Sequence, residues 1–141
     1  MGVGVTVIAA VWLLALSTYD VRERRLLNWL TLPGAVLIPV AAAVAGHGGA
    51  ALAGALTLSV LYLVMHLAAP RSLGGGDVKL AVGLGAMTGA FGIDVWLLAA
   101  LAAPLLTAGV ALWAAMRGIR SVPHGPSMCT ASAAAIALVL L

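Results

Sequence analysis

The stretch VWLLAALAAPLLTAGVALWAAM, residues 95–116, contains no charged side chain. An apolar run of this length is typical of a helix that crosses a lipid bilayer, which takes about 20 residues. The rest of the chain has the same character, since 64% of its 141 residues are hydrophobic and 8% are charged. Soluble domains carry roughly 25% charged residues, so the composition excludes a soluble fold.

Five further apolar runs accompany this stretch. Because a segment in lipid must satisfy its own backbone hydrogen bonds, we predict that each run is a helix. The six runs cover residues 3–19, 29–45, 51–69, 78–91, 95–116 and 127–141. The fourth and sixth are short for a full crossing. We therefore predict an all-α polytopic membrane protein with about six transmembrane helices and no soluble domain, forming one membrane-embedded domain over residues 1–141.

The seven basic residues all fall in or beside the first, third and fifth connections between these runs. They are Arg22, Arg24, Arg25, Arg71, Lys79, Arg117 and Arg120. By the positive-inside rule, these connections face the cytoplasm and the amino terminus faces outward. We predict a multi-pass protein of the cell membrane, with membrane lipid as a partner. We interpret the basic residues as orientation signals and predict no nucleic-acid binding.

Cysteine and histidine are sparse. The single cysteine, Cys129, excludes an intramolecular disulfide and a Cys-x-x-Cys zinc module. His47, His66 and His124 are predicted at different places relative to the membrane, and we interpret each as a packed or interfacial side chain. We therefore expect neither a metal nor another cofactor.

Acidic residues are also scarce, and there are four. Asp94 begins a predicted helix, where a carboxylate stabilises the helix dipole, and Glu23 lies among arginines whose charge it balances. Asp20 and Asp77 each lie at the predicted cytoplasmic boundary of a helix. The topology thus places two carboxyls, remote in sequence, at one membrane depth, where ionisable groups suggest a site. Two carboxyls that share a proton can hydrolyse a peptide bond as general acid and general base.

A glycine triplet precedes Asp77. Residues without Cβ allow the backbone to take positive φ and to approach a substrate strand closely. Asp77, Ala81, Gly85 and Gly89 recur every four residues and therefore share one helix face. The spacing of Gly85 and Gly89 permits close helix contact, and we expect this face to hold Asp77 against the first helix. Simple helix packing without catalysis explains the same residues.

Three segments, in this order, resemble the type IV prepilin peptidases, which are membrane aspartic peptidases of the GxGD type. They are DVRERRLLN from Asp20 to Asn28, GGGDVK from Gly74 to Lys79, and PHGP from Pro123 to Pro126. The resemblance implies an aspartic endopeptidase that removes the short basic leader of prepilin-like proteins at the cytosolic membrane face. On this analogy Asp20 and Asp77 are the catalytic pair.

The same resemblance suggests which residues bind the substrate: Asn28, Gly74, Gly75, Gly76, Lys79, Pro123, Gly125 and Pro126. For Asn28 and Lys79, helix capping and snorkelling to the interface are equally good interpretations. Since Asp20 ends a helix and Asp77 begins one, the helix dipoles predict that Asp77 is the ionised base and Asp20 the protonated acid.

The sequence departs from the family pattern at two positions, because Leu27 stands where a proline is common and His124 replaces the usual aromatic residue. It also lacks the Cys-x-x-Cys insertion of the longer bacterial members, which methylate the new amino terminus. The chain resembles the minimal peptidases of tight-adherence pilus systems and the archaeal preflagellin peptidases. We therefore predict cleavage without methylation.

Three alternatives remain at the level of sequence. The acidic residues of a small proton- or cation-coupled transporter subunit would lie deeper in the spans, and an internal repeat would be expected. A structural membrane subunit would have no catalysis. The presenilin and signal peptide peptidase group shares a similar aspartate motif, but its chains are much longer and carry a Pro-Ala-Leu motif that is missing here.

Overall fold

A computed structural model describes residues 3–23, 28–70, 75–120 and 122–140. They form six α-helices: α1 (Val3–Glu23), α2 (Asn28–Val44), α3 (Gly48–Ala68), α4 (Gly75–Ala90), α5 (Ile93–Met116) and α6 (Gly125–Leu140). No strand occurs among these residues, which confirms the all-α prediction. Each apolar run of the sequence corresponds to one helix, with ends that differ by a few residues.

Helix α4 lies at the centre of the fold and packs against α2, α3, α5 and α6. From Leu80 to Gly89 every residue except Val82 is buried. Helix α1 packs mainly against α6, and the Trp12 indole of α1 donates a hydrogen bond of 2.8 Å to the Leu30 carbonyl of α2. The end of α1 meets the start of α6 through Asp20 and Gly125, and the starts of α2 and α4 meet through Asn28 and Lys79. The candidate residues therefore lie at one end of the bundle.

Glycines bring α3 and α4 into close contact. A Cβ on Gly54 of α3 would meet the Gly85 carbonyl of α4, and a Cβ on Gly89 would lie 2.7 Å from the Ala50 carbonyl of α3. The close helix contact predicted from Gly85 and Gly89 is therefore confirmed. The predicted partner was wrong, because this face of α4 packs against α3 and not against α1.

The close approach of α3 and α4 predicts that Gly85→Ala destabilises the protein by about 1–3 kcal/mol, because the new methyl group meets the backbone of Gly54 and Ala55. Without a clash, replacing a mid-helix glycine by alanine stabilises by roughly 0.5–1 kcal/mol. Gly109→Ala in α5 is the matched control, since no atom lies within 4 Å of its added Cβ. Thermal unfolding in detergent should shift in opposite directions for the two variants, and equal shifts would contradict the proposed contact.

Two helices end in Schellman motifs. After α2, the His47 N–H donates to the Ala42 carbonyl and the Gly46 N–H donates to the Ala43 carbonyl. Gly46 has φ of 86°, which glycine adopts without the steric cost of a side chain. The same pair of bonds follows α5, around Gly118 with φ of 79°. These bonds give hydrogen-bond donors to the last carbonyls of α2, before the short turn to α3, and of α5, before the connection to α6.

Two of the described helices, α3 and α5, are long and apolar enough to cross a membrane. Only 28% of the apolar window of α3 and 17% of that of α5 is buried inside the structure. A core helix of a soluble protein would be mostly buried, so these helices indicate a membrane protein. Helices α4 and α6 have 16 residues each, which is about 24 Å against a hydrocarbon core of about 30 Å. Six full crossings therefore stay a prediction.

Candidate functional site

Burial separates the four acidic side chains into two pairs. Asp20 is 6% exposed and Asp77 is 8% exposed, whereas Glu23 and Asp94 are both exposed. Burying a carboxyl is costly unless its surroundings compensate. The two acids that the sequence selected as a pair are thus the two that the fold removes from solvent.

Asp20 lies in the last turn of α1 and faces the beginning of α6. The Gly125 N–H donates a hydrogen bond of 2.8 Å to Asp20 Oδ2. Burial raises the pKa of the Asp20 carboxyl above its ordinary value of 3.8, and the Gly125 N–H, which favours the charged form, opposes part of this rise. The protonated carboxyl of Asp20 is therefore favoured to a higher pH than that of an exposed aspartate.

Asp77 lies in the first turn of α4, where the helix dipole favours a negative charge. Its carboxyl lies near the hydroxyl of Tyr62 on α3. The thiol of Cys129 in α6 lies near both Asp20 and Asp77, and it also forms a hydrogen bond with Ser17 of α1. Cys129 is buried. The first turns of α6 thus lie beside both carboxyls.

The beginning of α6 explains why glycine occupies position 125. The His124 carbonyl accepts the first helical hydrogen bond from the Met128 N–H at 3.1 Å, so His124 caps the helix and Gly125 is its first residue. A Cβ on Gly125 would meet the Asp20 carboxylate. Only a residue without a side chain fits between this carboxylate and the helix end.

His124 joins this helix end to α3 and α5. Its Nε2 lies 2.8 Å from the Tyr62 hydroxyl oxygen, its Nδ1 forms a hydrogen bond with Thr107 Oγ1, and its ring lies beside that of Tyr62, with centroids 5.5 Å apart. Burial lowers the pKa of the His124 imidazole below its ordinary value of 6.5, so the neutral ring is favoured.

A sequence model of the type IV leader peptidase family matches residues 7–141, which include Asp20, Asp77 and the segment around Gly125. The chain belongs to the type IV leader peptidase family. No curated protein and no solved structure matches the chain. The resemblance seen in three short sequence segments is confirmed, and the type IV leader peptidase assignment extends across nearly the whole chain.

Five of the residues expected at the substrate fall into two groups. Asn28 and Lys79 are exposed at the starts of α2 and α4, where Lys79 Nζ donates a hydrogen bond of 2.6 Å to Asn28 Oδ1. Pro123 and Pro126 are partly buried and Gly125 is fully buried, and the Gly125 N–H bonds to Asp20. The structure thus places Asn28 beside Lys79, and Gly125 beside Asp20.

The backbone conformation of the glycine triplet differs from the one that the sequence suggested. Gly75 and Gly76 already belong to the first turn of α4, so the positive φ that the triplet permits does not occur at these two residues. Gly74 lies outside the described residues. Asp77 therefore follows helical glycines and lies in the first turn of α4, where the helix dipole favours its negative charge.

The sequence also suggested that α1 and α4 pack directly together around the two aspartates. The Trp12 ring of α1 does reach Gly83 in the middle of α4. Among the described residues, however, no α-carbon of α1 lies within 8 Å of an α-carbon of α4. Helix α6 packs against both helices, and its Gly125 and Cys129 lie beside the aspartates. The expected close packing of α1 on α4 was wrong, and α6 connects the two halves of the candidate site.

The sequence interpretation missed three residues near the aspartates, Ser17, Tyr62 and Cys129, and also Thr107, which bonds to His124. Each is a polar or thiol-bearing residue inside an apolar run, without a motif around it. The presence of a polar group inside an apolar run was the one indication in the sequence, since buried hydroxyls require hydrogen-bond partners. No group of three or more His, Cys, Asp or Glu residues arranged to hold a metal ion occurs in the described part of the chain.

Proposed function

We propose that the chain is an aspartic endopeptidase that removes the short basic leader of prepilin-like proteins, with Asp20 and Asp77 as its catalytic pair. Membership of the type IV leader peptidase family supports leader cleavage. The observation that supports the pair is selective burial: of the four acidic side chains, all within the described residues, Asp20 and Asp77 are buried, and both lie near the thiol of Cys129.

In this mechanism Asp77 is the base and Asp20 the acid. Asp77 takes a proton from a water molecule, whose oxygen attacks the scissile carbonyl carbon, while Asp20 donates its proton to the carbonyl oxygen. When the tetrahedral intermediate collapses, the C–N bond breaks, protonated Asp77 gives its proton to the leaving amine, and ionised Asp20 takes a proton from a hydroxyl of the intermediate. Both aspartates thereby return to their starting states. The raised pKa of Asp20 and the place of Asp77 at a helix start support this division.

We assign the site to the cytosolic membrane face. The end of α1 meets the start of α6 through Asp20 and Gly125, and the starts of α2 and α4 meet through Asn28 and Lys79. The connections rich in basic residues therefore lie at one end of the bundle, which the positive-inside rule orients toward the cytoplasm. Anionic lipid at that face would attract the basic leader of the substrate.

The transporter alternative receives no support from this geometry. A carrier would hold its carboxyls near the middle of its spans. Here Asp20 lies in the last turn of one helix and Asp77 in the first turn of another. Membership of a leader peptidase family also favours hydrolysis.

A cleavage assay tests the proposed function. The purified protein, reconstituted in vesicles with anionic lipid, is incubated with a protein that carries a basic leader, a glycine and an apolar helix, in the presence of a methyl donor. Mass spectrometry should find a product cut after the glycine with a free, unmethylated amine. An intact substrate would contradict the peptidase, and a methylated product would contradict cleavage without methylation.

The raised pKa of Asp20 gives a pH prediction. Cleavage should decline as the pH rises through this raised value, because Asp20 loses the proton that it donates, and also at low pH, because Asp77 takes up a proton. The apparent values belong to the coupled pair. Asp20 also contributes stability that is fully present below its ordinary value of 3.8 and is lost as the pH rises through the raised folded value. Initial rates and thermal unfolding across a pH series measure both effects, and flat activity would contradict the scheme.

A further inference from the structure

His124 makes a hydrogen bond through each ring nitrogen, and the direction of each bond follows from its neighbours. The Thr107 hydroxyl donates its proton to the Ala103 carbonyl at 3.1 Å. Its oxygen therefore accepts the bond from His124 Nδ1–H. In the neutral ring that burial favours, Nε2 has no proton and accepts the Tyr62 O–H at 2.8 Å. We therefore assign the proton of the neutral His124 ring to Nδ1.

The chain of hydrogen bonds ends on backbone that contacts the proposed catalytic pair. The peptide group between His124 and Gly125 presents its carbonyl to the Met128 N–H and its N–H to Asp20 Oδ2. Because this peptide group is rigid and planar, fixing His124 also fixes the direction of the Gly125 N–H. Tyr62 belongs to α3 and Thr107 to α5, so these two helices hold the residue whose peptide group carries the donor to Asp20.

We propose that His124, held between Tyr62 and Thr107, is a positioning residue that aims the Gly125 N–H at Asp20. The inference rests on the proposed function only for its effect on cleavage, since the effect on Asp20 itself is measurable in a protein that cleaves nothing. His124 touches no reacting atom and acts through its own peptide group. The imidazole is suited to this role because one ring accepts from α3 and donates to α5.

The main test is Thr107→Val, which keeps the shape of the side chain and removes its hydroxyl. We expect kcat to fall about three- to tenfold, as for the loss of one hydrogen bond, with KM unchanged, and the pKa of Asp20 to rise further because its N–H donor is less well aimed. Carbon-13 NMR of the Asp20 carboxyl in detergent measures that pKa directly. Thr107→Ser, which keeps the hydroxyl, should restore both values.

Two further variants separate positioning from general damage. Thr57→Val is the matched control, because the exposed Thr57 hydroxyl bonds only to carbonyls of its own helix, and it should change neither the rate nor the titration. In a His124→Phe background, Thr107→Val should have no additional effect, since the residue through which it acts is gone. Nitrogen-15 NMR should show the Nδ1–H tautomer for the His124 ring.

The outcomes distinguish this proposal from the proposed function. If Asp20 titrates identically in Thr107→Val and in the unchanged protein, or if His124 carries its proton on Nε2, the positioning role is wrong whatever the activity. If the titration shifts as expected and no leader-bearing substrate is cut, the positioning role stands and the proposed peptidase activity fails.

Discussion

Replacing Asp20 or Asp77 by asparagine should lower kcat for leader cleavage by about 10²- to 10⁴-fold, which is the typical contribution of a positioned general acid or base. Asparagine has nearly the same shape, and its side-chain oxygen can still accept the Gly125 N–H that contacts Asp20. It cannot exchange a proton with water or with the substrate. Single-turnover cleavage of a leader-bearing protein in vesicles measures the loss, and the double variant should be little slower than the slower single variant, because the two groups act as a unit.

The chain offers a matched control for each of these variants. Asp94 lies in the first turn of α5, as Asp77 does in that of α4, and Glu23 ends α1 three residues after Asp20. Both controls are exposed, so Asp94→Asn and Glu23→Gln should keep full activity. Full cleavage by folded Asp20→Asn or Asp77→Asn would exclude the pair from catalysis, whereas equal losses in all four variants would indicate a general effect of charge.

The helices were predictable because every backbone polar group of a segment in lipid must form a hydrogen bond within the protein. A chain with 8% charged residues cannot cover six apolar segments with polar surface, and each segment satisfies its own backbone in a helix. The charged residues that remain mark helix ends, so the apolar pattern alone identifies Asp20 and Asp77 as boundary residues. The glycines at positions 85 and 89 likewise predicted a close helix contact, which the structure confirms.

The partners of those helices were not predictable in the same way. All faces of a lipid-exposed helix are apolar, so periodicity does not indicate which neighbour a face meets. Gly85 and Gly89 meet α3 because Gly54 provides a complementary gap there. The sequence does not distinguish position 54 from the many other small residues of this chain. The place of α6 between α1 and α4 was missed for the same reason. The sequence does not show which side chains of other helices contact Gly125 and Cys129.

Replacing Gly125 by alanine should lower kcat by about 10- to 100-fold while leaving the protein folded. The added methyl group would occupy the space of the Asp20 carboxylate, so either the carboxylate or the start of α6 must move, and the hydrogen bond of 2.8 Å between them is lost. A displacement of about 1 Å at a reacting group can cost 10²-fold in rate. Initial rates at saturating substrate, with KM measured separately, determine the effect.

Helix propensity makes this variant informative, because alanine is the better helix former and by itself would strengthen the first turn of α6. Gly109→Ala makes the same exchange in α5, where nothing lies within 4 Å of the new Cβ, and it should leave cleavage unchanged. If the glycine at position 125 served only to begin the helix, both variants would retain activity. If only Gly125→Ala loses activity, and its unfolding temperature stays close to that of the unchanged protein, glycine is required at position 125 because the Asp20 carboxylate packs against it.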